Sequence, residues 1–322
     1  MRVLKTIPKA TDVTKRCILT VGNFDGVHTG HQEILTTGAQ IARQNKTELV
    51  AITFDPHPAV ILHPSRSIGV LTPMELKKHL LARFGVDCLF VLPTTRELLD
   101  LSAWDFAERF IVSTIKPALV VEGENFHFGT GRVGNIHTLA TIGQEKGFDV
   151  QSVPTKQARL TIGQQVKISS TLIRNVLESG KVADAAIALA RPYRLMGRII
   201  PGHGKGGQLG FPTANLDPLR QTIPADGVYA GRVEIADSLP TLCQAQDRLS
   251  AVFSIGQART FGTQHPLLIE AHVLDRTMNH LYGKYMAMDF VQRIRGQTRF
   301  ASEPQLAEQI QKDCQSAKEI LS

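Results

Sequence analysis

The chain has 322 residues, of which 43% are hydrophobic and 20% are charged. This composition excludes an intrinsically disordered chain, and the length favours two domains. The net charge of +7 is distributed without a basic tail, so a nucleic-acid partner is not expected. One stretch without acidic residues contains Arg191, Arg194, Arg198 and Lys205, and we interpret it as a local patch suited to phosphates.

The four cysteines, Cys17, Cys88, Cys243 and Cys314, form no CxxC pair. Their spacing predicts neither a disulfide framework nor a zinc ribbon and is typical of a reducing compartment. The N-terminal residues contain no apolar run of signal-peptide length, and no run of about 18 apolar residues follows. We therefore expect a cytoplasmic protein without a membrane segment, and we leave self-association open.

The first half of the chain alternates apolar runs with amphipathic segments. This alternation predicts an α/β domain with a mostly parallel sheet, helices on both faces and ligands at the carboxyl ends of the strands. The predicted strands are 17–21, 49–54, 87–92, 117–121 and 148–153, and the predicted helices are 31–45, 74–84, 103–115 and 136–146.

A further helix is predicted to begin at the hydroxyl-rich group 169–171 and to end before Gly180, and a short segment at 182–190 follows it. We place a domain boundary in this region, close to Arg191 and Pro192. Beyond the boundary, glycines cluster and apolar residues alternate with polar ones. This pattern predicts an antiparallel sheet or small barrel. The alternating runs are 227–235 and 268–274, and a terminal helix is predicted at 303–321.

The segment Gly22–His31, with the sequence GNFDGVHTGH, joins a predicted strand to a predicted helix. Gly26 and Gly30 allow the backbone to turn and a ligand to approach closely. His31 falls in the first helical turn, where free backbone N–H groups favour a phosphate. With His28 it can donate hydrogen bonds to phosphoryl oxygens as negative charge develops on them. The pattern favours a nucleotide phosphate site.

Two other interpretations of this segment stay open. Asp25, His28 and His31 have a metal-like spacing, although glycines interrupt the helical face and no further ligand is evident. A histidine near a helix start can also be purely structural. The strand–turn–helix context is what favours the nucleotide.

HxGH in this context is the signature of the nucleotidyltransferase superfamily, and the chain resembles bacterial FAD synthetases, which are bifunctional riboflavin kinase/FMN adenylyltransferases. The motifs that carry the resemblance follow the family's order: GNFDGVHTGHQ, TFDPHP at 53–58, VEGENFHFGTGRVG at 121–134, ISSTLIR at 168–174, GKGGQLGFPTANL at 204–216, GVYAG at 227–231, IEAHVLD at 269–275 and LYGK at 281–284. The resemblance covers essentially the whole chain. It implies a Rossmann-like nucleotidyltransferase domain in residues 1–185 and a small antiparallel β-barrel kinase domain, with a C-terminal helix, in residues 186–322.

The resemblance implies that riboflavin is phosphorylated to FMN and that FMN is adenylylated to FAD, with ATP and Mg²⁺ in both steps. In the first domain it implies that His28 and His31 are catalytic and that His57 and Asn125 lie near FMN. It assigns the ATP phosphates to Gly22, Phe24, Gly30, Lys167, Ser170, Thr171 and Arg174. Lys167 stands where the family often has Arg. On the residues alone, the ISST group also fits a plain helix cap, His57 an ordinary loop histidine, and Asn125 a left-handed turn residue.

In the second domain the resemblance implies that Glu270 accepts the proton of the riboflavin 5′-hydroxyl and that Thr213 and Asn215 bind Mg²⁺. It places a nucleotide loop at Gly204, Lys205, Gly206 and Gly210. Taken alone, Glu270 fits a solvated strand residue. The GxGxxG match at 202–207 is not interpreted as a Rossmann fingerprint, because no helix is predicted to follow it.

Departures from the family pattern fall in this second domain at Gly207, Ser254, Arg259 and His280, where Arg, Asn, Pro and Asp are usual. They make the kinase activity less secure than adenylyl transfer. One alternative is therefore an FMN adenylyltransferase with a degenerate flavin-binding barrel. Another HxGH enzyme, such as a cytidylyltransferase, is a further alternative that the PTAN motif argues against. A rival of another class is a non-catalytic RNA-associated protein.

Overall fold

The computed structural model describes residues 1–5, 13–65, 69–202, 205–245, 247–257, 267–276, 278 and 280–322, with Lys205 and Gln257 described by their backbones only. The chain divides into two compact units. The first comprises Met1–Ile68, Leu76–Ala158 and Val166–Ser169, and the second comprises Gly69–Glu75, Arg159–Gln165 and Ser170–Ser322.

The main-sheet strands are separated by helices up to β8, as the hydrophobic pattern predicts, and short strand pairs are added to this alternation. In chain order they are β1 (Arg2–Leu4), β2 (Ile18–Val21), α1 (Thr29–Gln44), β3 (Leu49–Asp55), α2 (Pro58–Leu62), α3 (Met74–Arg83), β4 (Cys88–Pro93), α4 (Arg96–Leu99), α5 (Ala103–Phe106), β5 (Leu119–Gly123), β6 (His127–Phe128), β7 (Gly134–Asn135), α6 (Ile136–Lys146), β8 (Asp149–Val153), β9 (Gln157–Arg159) and β10 (Gln165–Lys167).

The main sheet of the first unit is parallel, in the order β1-β4-β3-β2-β5-β8. Every residue of β2 is buried, and most of β3 and β4 is buried on both faces. Strands with this pattern need cover on both sides of the sheet, which explains their continuous apolar runs. The predicted parallel α/β architecture is confirmed, and β2 lies inside the sheet with its carboxyl end leading into α1.

Several short elements of the first unit are not predicted from the sequence, and two differences are informative. The helix predicted at 103–115 begins as α5 and continues as a π-helical segment, Ala107–Ile115, which ends at Lys116 in the left-handed conformation. The edge strand β1 is not predicted at all, because three residues are too few to show a period.

From Ser170 onward the second unit has two helices and then mainly strands. Its elements are α7 (Ser170–Glu178), α8 (Val182–Leu189), β11 (Tyr193–Ile200), α9 (Lys205–Gln208), β12 (Ala214–Pro218), β13 (Gly227–Ala236), α10 (Leu239–Gln244), β14 (Leu249–Gln257), β15 (Leu267–Val273), β16 (Tyr285–Arg295) and α11 (Glu303–Leu321). The predicted boundary after residue 185 falls inside α8, a helix that packs on β11 and β16.

The strands of the second unit form a closed antiparallel barrel in the order β11-β12-β15-β14-β13-β16. Its interior contains Tyr229, Phe253 and Phe290, all fully buried and packed edge to face on Phe290. The helix α11 covers one side of the barrel with Cys314, Ala317 and Leu321. The predicted barrel and terminal helix are therefore confirmed. No helix in the described part of the chain combines the length and apolar character needed to cross a bilayer.

Candidate active sites

The loop that joins β2 to α1 adopts an unusual backbone conformation. Gly26 has a φ of 88°, which glycine tolerates, but Phe24 and Val27 also have positive φ angles of 45° and 42°. A β-branched residue such as Val27 rarely adopts this region. Phe24 and Val27 are only 1% and 0% exposed, so their packing holds the loop in its strained form.

The loop places the two predicted catalytic histidines against each other. His28 is the N-cap of α1, and its Nδ1 accepts a hydrogen bond from the His31 backbone N–H at 3.3 Å. The two rings stack with their centroids 3.6 Å apart and their planes 15° apart. Gly30 permits this stack, because a Cβ at that position would lie only 3.3 Å from the His28 ring. Both imidazoles thus lie at the N-terminus of α1.

Three polar atoms at this junction are buried without a hydrogen-bond partner among the described residues. They are Asn23 Oδ1, Thr29 Oγ1 and His31 Nδ1. Burial lowers the pKa of His31 well below its ordinary value, and the charges of His28 and Lys77 add to this effect. His31 is therefore a neutral imidazole at neutral pH. Since buried polar groups are normally paired, these atoms indicate a site for a polar ligand.

Sequence reasoning missed Lys77, which lies on α3 and is only 4% exposed. Its Nζ donates a hydrogen bond to the Asn23 carbonyl at 2.7 Å. Burial lowers the pKa of Lys77, while Asp25 and Asp55 oppose that change. The available signal was a lysine on the same helical face as Leu80 and Leu81, both buried.

The two predicted FMN residues follow β3 and β5, the strands that flank β2 in the sheet. His57 follows β3 and caps α2, where its Nδ1 accepts a hydrogen bond from the Ala59 N–H at 3.1 Å. Asn125 follows β5, and its Oδ1 would lie 3.1 Å from a Cβ at Gly123. Asn125 does not adopt the left-handed conformation, so that explanation of its identity is wrong. Contact of either residue with FMN stays a prediction.

Glu122 on β5 is a second group that sequence reasoning missed. Its side chain is buried at 3% exposure, and its Oε1 accepts hydrogen bonds from the Val21 N–H and the Thr20 hydroxyl. Burial raises the pKa of this carboxyl well above its ordinary value, although the two hydrogen bonds oppose the rise. Glu122 therefore joins β5 to the end of β2 immediately before the phosphate-site loop.

The predicted phosphate-binding ISST group, residues 168–171, stands at the start of α7. Ser170 and Thr171 are the first two residues of this helix, and Arg174 donates a hydrogen bond from Nε to the Gly69 carbonyl at 3.1 Å. Gly180 lies just beyond the end of α7, as predicted, and has a φ of 73°. Lys167 ends β10 and acts electrostatically on Glu124. Phosphate binding by these residues stays a prediction.

Three oxygen-bearing side chains meet where β12 pairs with β15 in the barrel. Glu270 on β15 is paired in register with Asn215 on β12, and Thr213 Oγ1 donates to Glu270 Oε1 at 3.3 Å. Asn215 is buried, and a Cβ at Gly202 would lie 1.9 Å from its Nδ2. The set of hydroxyl, amide and carboxylate oxygens is the donor chemistry that Mg²⁺ prefers. The three residues assigned to kinase chemistry are thus brought together.

The glycine loop before this cluster contains one helical turn, α9, where the sequence predicts only a flexible loop. A Cβ at Gly206 would lie 2.5 Å from the Phe211 carbonyl oxygen, so this position is restricted to glycine by close backbone approach. Gly210 needs glycine for a different reason, its φ of 87°. Gly207 has no atom within 4 Å of a built Cβ. Gly204 and Arg259 lie outside the described residues.

Two of the remaining departures have identifiable surroundings. Ser254 on β14 is opposite Glu270, and its hydroxyl accepts a hydrogen bond from Gln297 Nε2 at 3.1 Å. His280 has a φ of 55°, in the left-handed region that Asp and Asn also tolerate. His280 therefore adopts a backbone conformation that the usual Asp also tolerates.

A cavity of about 550 Å³ lies between the end of β15 and α11. It is lined by Phe211 and His272, and on the α11 side by Gln311 and Gln315. His272 lies two residues beyond Glu270 on β15, so both side chains project from the same face of the strand. The cavity thus has aromatic and polar walls and includes His272, which shares a strand face with Glu270.

The predicted phosphate patch is corrected at Arg194. This residue forms ion pairs with Asp289 at 2.6 Å and with Glu234 at 2.8 Å, and its side chain is only 10% exposed. The carboxylates raise the pKa of Arg194 against the opposing effect of burial. Arg194 therefore stabilises the barrel, and its charge is not available to a ligand.

Comparison with known proteins gives consistent matches over both halves. The model of the FAD synthetase family matches residues 10–172, and the model of the riboflavin kinase family matches residues 189–321. The chain is 34% identical over 304 residues to the bifunctional riboflavin kinase/FMN adenylyltransferase of Escherichia coli (strain K12), covering 94% of this chain and 92% of that protein. A protein of the same description from Haemophilus influenzae is 31% identical over 318 residues, covering 99% and 98%.

Among solved structures, a Streptococcus pneumoniae protein titled a macrolide-efflux protein is similar along its whole length. The TM-score is 0.84 at 28% identity, and the match covers 99% of both chains. Taken with the two family models, these matches show that the chain belongs to the FAD synthetase family, with a riboflavin kinase domain in its second half.

Proposed function

We propose that this chain makes FAD from riboflavin in two ATP-dependent steps, phosphorylation to FMN and adenylylation of FMN. The proposal for the second step rests on one observation, the stacked His28–His31 pair at the N-terminus of α1 with unpaired polar atoms around it. We further propose that residues 1–185 hold the adenylyl-transfer site and residues 186–322 the kinase site. Cytoplasmic location and self-association stay predictions.

In the adenylyl transfer, a phosphate oxygen of FMN attacks the α-phosphorus of ATP. The bond from that phosphorus to the bridging oxygen breaks, and pyrophosphate leaves. The helix N-terminus favours the phosphates, and His28 and His31 donate hydrogen bonds to the oxygens on which charge develops. Since no covalent intermediate is needed, these side chains act by orientation and charge stabilisation.

In the kinase step, the riboflavin 5′-hydroxyl oxygen attacks the γ-phosphorus of ATP, and ADP leaves. Glu270 accepts the hydroxyl proton. Thr213 and Asn215 would hold Mg²⁺, which neutralises phosphate charge when it is bound. The cavity beside His272 and Phe211 would receive the planar ring of a substrate.

The main alternative is an adenylyltransferase with an inactive barrel. It is favoured by Gly207 and Ser254, which replace residues usual in the family. Against it, Thr213, Asn215 and Glu270 are present and adjacent. The RNA-associated alternative is weakened, because Arg194 forms ion pairs with Glu234 and Asp289 and its charge is not available to RNA phosphates.

One assay tests the proposal. Purified protein is incubated with riboflavin, ATP and Mg²⁺, and the flavins are separated by chromatography; a parallel reaction starts from FMN. Formation of FMN and FAD supports both steps. FAD from added FMN, without any product from riboflavin, supports the alternative with an inactive barrel. No product in either reaction, together with salt-sensitive RNA binding, would overturn the enzyme proposal.

A further inference from the structure

Lys77 is a buried ammonium group for which neither proposed reaction has a role. It is 4% exposed, and its Nζ donates to a backbone carbonyl, that of Asn23, at 2.7 Å. A buried lysine is rare unless charges or hydrogen bonds compensate it. Asp25 and Asp55 provide the compensating charge.

The partners of Lys77 belong to the two loops that hold the histidines of the first unit. Asn23 and Asp25 lie in the loop between β2 and α1, which ends at His28. Asp55 is the last residue of β3, two residues before His57. Thr53, also on β3 and fully buried, donates from Oγ1 to the same Asn23 carbonyl at 3.3 Å. Lys77 therefore hydrogen-bonds to the first loop and is attracted electrostatically to Asp25 and Asp55, while Thr53 joins β3 to the same carbonyl.

The first of these loops needs such a connection. Phe24 and Val27 are held at positive φ, a conformation that is strained when a side chain is present. Such strain persists only where surrounding contacts determine the backbone. The Lys77 ammonium is a contact to the residue that precedes Phe24, at the point where the strained turn begins.

We propose that Lys77 is a positioning residue for adenylyl transfer, which fixes the loop carrying His28 and His31 relative to the loop carrying His57. It acts through the backbone of Asn23 and through the carboxylates of Asp25 and Asp55, without contact to the reacting atoms. This inference rests on the proposed adenylyl-transfer function. It predicts that loss of the ammonium lowers the turnover of adenylyl transfer and leaves riboflavin phosphorylation intact.

The test compares Lys77→Met with Lys78→Met in the full chain, since Lys78 is the next residue on the same helix. Each variant is assayed for FAD formation from FMN and ATP, with kcat and KM determined separately, and for FMN formation from riboflavin. Small displacements of catalytic groups can reduce rates by about 100-fold. We expect Lys77→Met to reduce kcat for adenylyl transfer by roughly 10- to 100-fold and Lys78→Met to change it less than twofold.

A double variant separates positioning from general destabilisation. If Lys77 acts through the histidine pair, Lys77→Met should add less than about threefold to the loss already caused by His31→Ala, because groups that act as a unit are non-additive. If the rate losses of Lys77→Met and His31→Ala multiply in full in the double variant, the inference is overturned. It is also overturned if kcat of Lys77→Met lies within twofold of wild type. Should Lys77→Met fail to fold, Lys77→Gln is judged by the same limits. If wild-type protein makes no FAD from FMN, the proposed function fails first, and the inference fails with it.

Discussion

The imidazole rings of His28 and His31 are stacked 3.6 Å apart, and the Nδ1 of His28 accepts a hydrogen bond from the backbone N–H of His31. One histidine thus has two functions, because it caps the helix and supplies an imidazole to the site. His31 is held neutral by burial, which leaves it as a hydrogen-bond donor or acceptor and not as a cation. The two side chains can therefore be separated experimentally.

Alanine at either His28 or His31 should lower FAD formation from FMN by about 10²–10³-fold, the usual loss for a transition-state donor. His28→Ala should also lower thermal stability, since a lost N-cap costs about 1 kcal/mol. His28→Asn retains a capping side chain, so it should lose the same activity with a smaller change in Tm. His137→Ala, at an exposed histidine on α6, is the control. Rates within tenfold of wild type in both alanine variants would contradict the assignment.

Glu122→Gln should stabilise the protein at alkaline pH and have little effect at acid pH. The raised pKa of Glu122 means that the native state retains a proton that the unfolded chain has released. Stability from this group is therefore present at low pH and lost as the pH rises through the native pKa. Glutamine keeps the acceptor for Val21 and Thr20 without titrating. We expect Tm to rise by roughly 2–8 °C at pH 8 and to be nearly unchanged at pH 5.

Glu124→Gln is the matched control, because hydrogen bonds from Thr155 lower the pKa of Glu124. A lowered pKa gives stability that is present above the unfolded value and lost on acidification, the opposite sign. Glu124→Gln should therefore leave Tm unchanged or lower it at pH 8. Equal responses of the two variants would show that burial of Glu122 is not what sets its titration.

The sequence was sufficient for those elements whose burial repeats with a period. The terminal helix predicted at 303–321 has the same bounds as α11. Its apolar residues recur at helical spacing, and Ser302 caps its N-terminus. Likewise β2 was predicted from its continuous apolar run, and its position inside the parallel sheet follows from burial on both faces. The histidine pair was predicted because both residues belong to one local turn.

Contacts between distant segments could not be predicted in the same way. Lys77 meets Asn23 only after α3 packs beside the loop. Its place on the helical face of Leu80 and Leu81 indicates burial, but no local pattern indicates this partner. The sequence places Arg194 in a phosphate patch because its partners, Glu234 and Asp289, are far along the chain and meet it only in the closed barrel. Charge pairing of this kind depends on strand order, which single-sequence patterns do not determine.

Gly202→Ala should impair the kinase step selectively. A Cβ at Gly202 would lie 1.9 Å from Asn215 Nδ2, so the alanine must displace the side chain proposed to hold Mg²⁺. We expect the rate of FMN formation to fall at least about 10-fold, with a steeper dependence on Mg²⁺ concentration, while FAD formation from FMN continues. Gly296→Ala, where the nearest atom is 3.9 Å from the built Cβ, is the control. A fully active Gly202→Ala variant would argue against a role for Asn215.

Glu270→Ala should abolish FMN formation and leave FMN adenylylation within twofold of wild type. General-base catalysis typically raises a rate by about 10²–10⁴-fold, so the variant should form FMN more slowly than wild type by that factor. Glu319→Ala, at an exposed carboxylate on α11, controls for loss of surface charge. Residual FMN formation that is unchanged in Glu270→Ala would mean that another group accepts the proton.

The kinase loop has Gly207 at the position where the family usually has arginine. Gly207 lies in the helical turn α9, and no atom lies within 4 Å of a Cβ built there, so a long side chain can be accommodated. An arginine would add a phosphate-binding fork beside Thr213 and Glu270, and a loop that closes over a nucleotide gains affinity from such a charge. We expect Gly207→Arg to lower the KM for ATP or riboflavin by about 10-fold with little change in kcat, the pattern of added ground-state binding. Gly207→Gln supplies similar length without charge and should leave KM near the wild-type value. If both substitutions lower KM equally, loop rigidity and not phosphate charge limits the wild-type enzyme; if neither does, the missing arginine is not what weakens this half of the protein.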